Sequence, residues 1–250
     1  MDLHLTNKTA LVTGASAGIG RAIARALAAE GVKLCITSRR AELLESVAQQ
    51  ITSDGGPQPH IVTVDIMEED APQRLAARAL DALGRVDILI NCAGGSRPLP
   101  IDAAESRWVE AMTLNFTRVR QLTHEVLPGM IEQRWGRIIN ITGKQEQERL
   151  NAAYSAKAGV HAWAKGLSKE VGQYGITINS IPPGRIISEQ ILRNNPEPVR
   201  KAFAEQHIPV RRFGQPEELA CLAVFLASPV AAYISGTVIP VDGGLRRYSF

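Results

Sequence analysis

Short apolar runs alternate with longer stretches of helical period along most of the chain. Residues 8–13, 32–38, 61–65, 86–91, 136–142 and 176–181 read as buried strands, and residues 236–241 as a seventh. Between them, residues 18–30, 40–52, 71–83, 105–134, 153–174 and 216–227 read as helices, the first clearly amphipathic. Strands that are apolar on both faces belong to a parallel sheet covered by helices on both sides. The alternation predicts one α/β domain spanning residues 1–250, a doubly wound parallel sheet of about seven strands with right-handed crossovers. Two polar segments, 143–152 and 185–214, break the rhythm. Both follow strand ends, where such sheets hold ligands, and the second is expected to act as a lid.

Composition narrows the function classes. The chain has 250 residues, 45% hydrophobic and 21% charged, which suits a single large globular domain and excludes global disorder. Lys plus Arg exceeds Asp plus Glu by 28 to 25, too small a surplus for a nucleic-acid footprint. No apolar run approaches the roughly 20 residues that cross a bilayer, and the start lacks the charge and apolar pattern of a signal peptide. Cys35, Cys92 and Cys221 are scattered, without disulfide or metal spacing. The expected protein is cytoplasmic, with no membrane and no nucleic-acid partner.

Candidate chemistry begins at the first strand–turn–helix, Thr13-Gly14-Ala15-Ser16-Ala17-Gly18-Ile19-Gly20. Glycines at 14, 18 and 20 let the backbone turn tightly and approach a ligand. The helix start then offers N–H groups and a positive dipole end to a pyrophosphate. In the first βαβ unit this pattern points to dinucleotide binding and makes the sheet Rossmann-type. The second strand ends in Ser38-Arg39-Arg40, with no acid before Glu42. An acid there holds a ribose 2′-OH, whereas arginine suits a 2′-phosphate. NADP(H) is therefore the expected cofactor, with Arg39 as its phosphate partner, and NAD(H) the alternative.

Tyr154 and Lys157 lie three residues apart on one helix face. A phenol ionises near pH 10, a nearby cation lowers that value, and bringing it to about 7 takes roughly 4 kcal/mol. Such a tyrosine can donate a proton to a carbonyl as hydride arrives, or remove one from an alcohol.

Taken together, these motifs resemble the short-chain dehydrogenase/reductase family, particularly members of this length such as the 3-oxoacyl-carrier-protein reductases. The resemblance covers almost the whole chain. Residues 13–20 match the family's glycine motif, and Asp65 matches the acid at the adenine, followed by Ile66. Asn91-Cys92-Ala93-Gly94 matches its N-N-A-G segment, with Cys92 replacing an asparagine. Asn115 is similar to the asparagine of its proton relay, and Tyr154 and Lys157 to its catalytic pair, which also contacts the cofactor. Pro183-Gly184 matches the turn bordering the nicotinamide, beside Ile186, and Ser188 stands where the family has a threonine. Residues 241–244 match the terminal V-D-G-G. The resemblance implies a small carbonyl or alcohol substrate, hydride transfer with NADP(H), and a homotetramer.

One departure is prominent. Gly143 occupies the place where the family carries a serine that hydrogen-bonds the substrate, and no serine lies between Thr142 and Tyr154. Thr142 supplying the hydroxyl, Lys144 or Gln145 supplying another donor, and a true deficit that leaves a slow or silent nucleotide-binding relative all stay open. The lid carries Arg185, Arg193, Arg200, Lys201, Arg211 and Arg212, with Glu189, Glu197 and Glu205 among them. An anionic substrate and an ordinary solvated surface are both compatible with that pattern.

Overall fold

The computed structural model describes residues 1–143 and 149–247. Its described strands are β1 (Thr9–Thr13), β2 (Lys33–Ser38), β3 (His60–Thr63), β4 (Ile88–Asn91), β5 (Gly136–Ile141) and β6 (Ile176–Ile181). They form one parallel sheet in the order β3-β2-β1-β4-β5-β6. β1 pairs with both β2 and β4, so the winding direction reverses beside it, and a crevice opens beyond the carboxyl ends of those strands.

Helices cover both faces. α1 (Gly18–Ala29), α2 (Ala41–Ser53) and, near the chain's end, Pro216–Ala227 enclose one core with Ala10, Val12, Ile36 and Ile90. α3 (Ala71–Leu83) and two later helices, Arg118–Glu132 and Ala152–Val171, enclose the other with Leu11, Leu89, Ile138 and Ile178. Alternate residues of each strand thus feed opposite cores, which is why β1 is buried at every position. Each such Leu or Ile contributes roughly 1.5–3 kcal/mol by leaving water. Gly84 at φ +77° stops α3 in the left-handed conformation that glycine tolerates.

The structure corrects the sequence reading in two places. The expected helix over 105–134 is divided into α4 (Glu105–Met112) and α5 (Arg118–Glu132) by a π-helical turn, Thr113–Thr117, that carries Asn115. Such bulges disturb the i to i−4 ladder and re-aim side chains. Among the described residues the sheet also has six strands, not about seven. Residues 236–241 run beside β6, but pair with it only through isolated bridges, Ser180 with Val238 and Pro183 with Val241. Ser180 and Gly184 donate across to Thr237 O and Val241 O, but Pro182 between them has no N–H to donate, so the ladder is interrupted there.

After β5 come α6 (Ala152–Val171), α7 (Glu189–Asn194), α8 (Glu197–His207) and α9 (Pro216–Ala227). Asn151 caps α6 by accepting from the Ala153 N–H at 3.0 Å and donates from Nδ2 to Ser96 Oγ at 2.8 Å. That second bond ties the start of α6 to the loop after β4. α7 and α8 lie within the expected lid. Its two ends are fastened together where the Ile187 N–H donates to Gly214 O and the Gly214 N–H to Arg185 O.

Candidate active site

The glycine-rich turn closes on the segment after β4. Thr13 Oγ1 accepts from the backbone N–H groups of Cys92 and Ala93, both at 2.9 Å, and donates to Ile90 O at 3.2 Å. Gly14 has φ +66°, and a Cβ there would lie 3.0 Å from Ala93 N. A Cβ on Gly20 would collide with Gly14 O. Ala17 gives α1 no side-chain cap, and its first turn has no acid. A tight cradle with no room for side chains, opening on an uncapped helix start at Gly18 and Ile19, fits the pyrophosphate of a dinucleotide. Gly18 also approaches the lid, its Cβ position lying 3.8 Å from Ser188 Cβ.

The end of β2 arranges its arginines differently from each other. Arg39 is largely exposed and lies 3.7 Å from Asp65 Oδ2, while Asp65 Oδ1 accepts from the Met67 N–H. Arg40 folds inward. Its Nε and Nη2 donate to the buried Ser16 Oγ at 3.3 and 3.1 Å, its Nη1 donates to Glu189 Oε2 at 2.9 Å, and its backbone N–H donates to Ser38 Oγ. Of the pair, Arg40 is the one tied to the glycine-rich turn. Ile66 packs against the second core. Asn91 is likewise committed: its Nδ2 donates to Asn140 Oδ1 and Thr123 Oγ1, clasping β4, β5 and α5.

Asn115, Tyr154 and Lys157 converge where the loops after β4 and β5 meet. Asn115 is buried; its Oδ1 accepts from the Gly95 N–H at 3.2 Å, and its Nδ2 donates to Ala111 O, which the π turn leaves within reach. A Cβ on Gly94 would lie 3.0 Å from Asn115 Oδ1 and 3.8 Å from Lys157 Nζ, so Gly94 keeps open the gap between them. A Cβ on Gly143 would lie 3.1 Å from Lys157 Cδ, 3.7 Å from its Nζ and 3.8 Å from Tyr154 Cδ1. Both side chains therefore border the position where the family has its serine.

Burial pulls the Lys157 ammonium below the usual lysine range, and the neighbouring Cys92 opposes that shift only weakly. Burial pushes the Cys92 thiol up to about 12, despite Lys157. The thiol is therefore neutral and does not neutralise the lysine. A crowded ammonium without a described carboxylate exerts its field with little screening, in the direction that favours an anionic phenol beside it.

Thr142 is 3% exposed, and its Oγ1 lies 2.8 Å from His161 Nε2 on α6. Burial holds the His161 imidazole below its usual range, so it is neutral at pH 7. The sequence reading had not singled out His161. Its one signal was a spacing of four residues from Lys157, which puts both on one face of α6. Lys144 and Gln145 lie outside the described residues.

Pro183 and Gly184 reach the crevice through a turn pinned from behind, with the Gly184 N–H donating to Val241 O. A Cβ on Gly184 would lie 2.6 Å from Asp242 Cα, which couples that turn to residues 241–244. Ile186 is buried, and Ser188 caps α7 by accepting from the Ile191 N–H. Several lid cations are engaged within the protein: Arg200 donates to Asn195 O, Arg212 pairs with Glu218, and Arg185 stacks over Phe203 at 4.7 Å. That pattern favours a structural role for these arginines over an anion subsite. Among the described residues there is no His, Cys, Asp and Glu cluster suited to a metal, and no helix long and apolar enough to cross a membrane.

Comparisons with known proteins cover nearly the whole chain. The family model described as enoyl-(acyl carrier protein) reductase matches residues 14–246. The chain is 35% identical to the 3-oxoacyl-[acyl-carrier-protein] reductase of Aquifex aeolicus (strain VF5), over 98% of this chain and all of that one. The structure of L-sorbose reductase from Gluconobacter frateurii, complexed with NADPH and L-sorbose, superposes with a TM-score of 0.94 at 29% identity, covering 99% and 100% of the two chains. A 7α-hydroxysteroid dehydrogenase complexed with NADH and 7-oxo glycochenodeoxycholic acid superposes with a TM-score of 0.91 at 34% identity, covering 97% and 96%.

Proposed function

Because the chain belongs to the short-chain dehydrogenase/reductase family and is an NAD(P)-dependent oxidoreductase of CH–OH and C=O groups, we propose that it is an NADP(H)-dependent reductase of a small ketone or 3-oxoacyl compound. The observation that carries this reading is the convergence of Tyr154, Lys157 and Asn115 around the gap at Gly94 and Gly143, at the mouth of the glycine cradle.

In this reading Gly14, Ser16, Gly18, Ile19 and Gly20 hold the pyrophosphate, and Ser38, Arg39 and Arg40 the 2′-phosphate. Asp65 and the Ile66 backbone border the adenine. The backbone of Asn91, Ala93 and Gly94, with Pro183, Gly184, Ile186 and Ser188, frames the nicotinamide half. When bound, the cofactor supplies or accepts the hydride. Tyr154 moves the proton at the substrate oxygen, and the Lys157 ammonium favours the phenolate that this transfer leaves. Asn115 holds the relay position through its bonds to Gly95 and Ala111. Thr142 adjoins Gly143 and its hydroxyl is hydrogen-bonded to His161 Nε2.

The NADPH of the sorbose reductase and the NADH of the hydroxysteroid dehydrogenase leave both cofactors within this fold's reach. The inward guanidinium of Arg40 favours the phosphorylated one. Exposed Val109 and Met112 line a groove of about 490 Å3 on α4 with Trp108, which supports pairing with further copies into a tetramer.

A second reading has its own observation. Gly143 offers no hydroxyl to a substrate carbonyl, which favours a slow or silent nucleotide-binding relative. A screen of ketones, aldehydes and 3-oxoacyl thioesters for NADPH consumption separates the two. On a confirmed substrate, Tyr154→Phe is expected to retain NADPH affinity and lose most turnover. Unchanged turnover would overturn the proton-donor role. A wild type that binds NADPH and reduces nothing in the screen would support the silent relative.

A further inference from the structure

Arg40 joins three segments that are far apart in sequence. It donates to Ser16 in the glycine-rich turn, it lies at the end of β2, and it pairs with Glu189, the first residue of α7 in the lid. A 2′-phosphate bound by Arg40 would have to face this guanidinium, where Glu189 Oε2 already lies 2.9 Å from Nη1. A phosphate carries about −1.5 to −2 charges and takes a guanidinium in a forked, two-bond geometry. A carboxylate left beside it would meet like charge, so the two anions exclude each other. Arg39, close to Asp65, is near enough in the chain to join the phosphate once Arg40 turns to it.

The lid is built to respond. Its base is fastened where the Ile187 and Gly214 N–H groups bond across to Gly214 O and Arg185 O. Its leading end rests on the cradle, with Ser188 against Gly18 and Glu189 on Arg40. The Arg40–Glu189 pair is half-exposed, 48% and 60%, and such pairs are weak enough to exchange. Resting on the NADP(H) reading above, we propose that Glu189 is a specificity-determining residue, a latch that competes with the cofactor's 2′-phosphate for Arg40. A 2′-phosphorylated nucleotide thereby frees the leading end of the lid, and an unphosphorylated one leaves it held.

The test uses the full chain and two fragments without nicotinamide, 2′,5′-ADP and 5′-AMP, in wild type, Glu189→Gln and Arg40→Gln. Calorimetry measures their affinities together with those of NADPH and NADH. Limited trypsin digestion reads the lid at Arg193, Arg200 and Lys201. Glu189→Gln should tighten NADPH and 2′,5′-ADP by about three- to fivefold, the range of an exposed pair, and leave NADH unchanged. In wild type, 2′,5′-ADP should accelerate lid cleavage and 5′-AMP should not. In Glu189→Gln, cleavage should be fast without ligand and insensitive to either. If Glu189→Gln matches wild type in binding and cleavage while Arg40→Gln loses the NADPH preference, the latch is refuted and the NADP(H) reading stands. If wild type binds NADPH and NADH equally and Arg40→Gln changes neither, the cofactor reading fails and the latch with it.

Discussion

Replacing Gly143 with serine places a hydroxyl at the position where the family resemblance implies one, and the structure sets what that costs. Gly143 does not have a backbone φ in the left-handed range, so a side chain meets no conformational strain. The new Cβ would lie 3.1 Å from Lys157 Cδ, a few tenths of an ångström inside ordinary contact, and 3.8 Å from Tyr154 Cδ1. Lys157 ends in a flexible stem that can shift by that amount, so the stability cost should fall at the low end of overpacking, about 1 kcal/mol. For a chain of this size that lowers Tm by about 2–4 °C. The gain is larger. A donor aimed at developing charge is worth about 10²–10³ in rate, and the new Cβ, beside Lys157 Cδ and Tyr154 Cδ1, would carry its hydroxyl next to the proposed proton donor. On a confirmed substrate under saturating NADPH, Gly143→Ser should raise kcat at least tenfold with NADPH affinity unchanged. A kcat equal to or below wild type, in a variant whose Tm falls no further than stated, would refute the argument that Gly143 is a deficit in a correctly aimed loop.

Four further expectations follow from named residues. Thr142→Val keeps shape but strips His161 Nε2 of its partner, so it should destabilise by about 1–3 kcal/mol in chemical denaturation; a twofold or smaller kcat change would show a structural hydroxyl, and a 10²-fold loss a catalytic one. Burial holds the folded His161 imidazole below its usual value of about 6.5, so the unfolded chain takes up its proton first. Its contribution is full above about pH 6.5 and is lost as pH falls through the folded value, a slope that His161→Gln should remove from denaturation curves. Desolvation raises the buried Cys35 and half-buried Cys92 thiols to about 12 while Cys221 is exposed, so iodoacetamide at pH 8 should label Cys221 first by peptide mapping; equal labelling of Cys92 would contradict that upward shift. Val109→Glu on the exposed face of α4 should yield a smaller species in light scattering, and an unchanged mass would remove that face from the proposed assembly.

Much of the architecture was legible because it rests on local periodicity. Apolar runs such as residues 8–13 are short and two-faced, helices such as α9 begin and end at the expected residues, and the glycines at 14, 18 and 20 announce the cradle by composition alone. The π turn at Asn115 was not legible, since its residues keep a helical pattern while the ladder slips. The seventh strand is reduced to isolated bridges because a donor it needs is missing on the partner side, at Pro182. Among the arginines, Arg39 was the expected phosphate partner, yet Arg40 is the one turned inward to Ser16 and Glu189.

The sequence by itself determined the order of strands and helices, the dinucleotide cradle and the presence of Tyr154 and Lys157, because those follow from residue type and spacing along one element. Only the tertiary structure decided which groups face each other across elements. It turned the Thr142 hydroxyl to His161, left Gly143 open between Lys157 and Tyr154, and set Glu189 on a guanidinium 149 residues away. The physical reason is that a side chain's direction across a gap depends on how separate elements pack, and no local period carries that information.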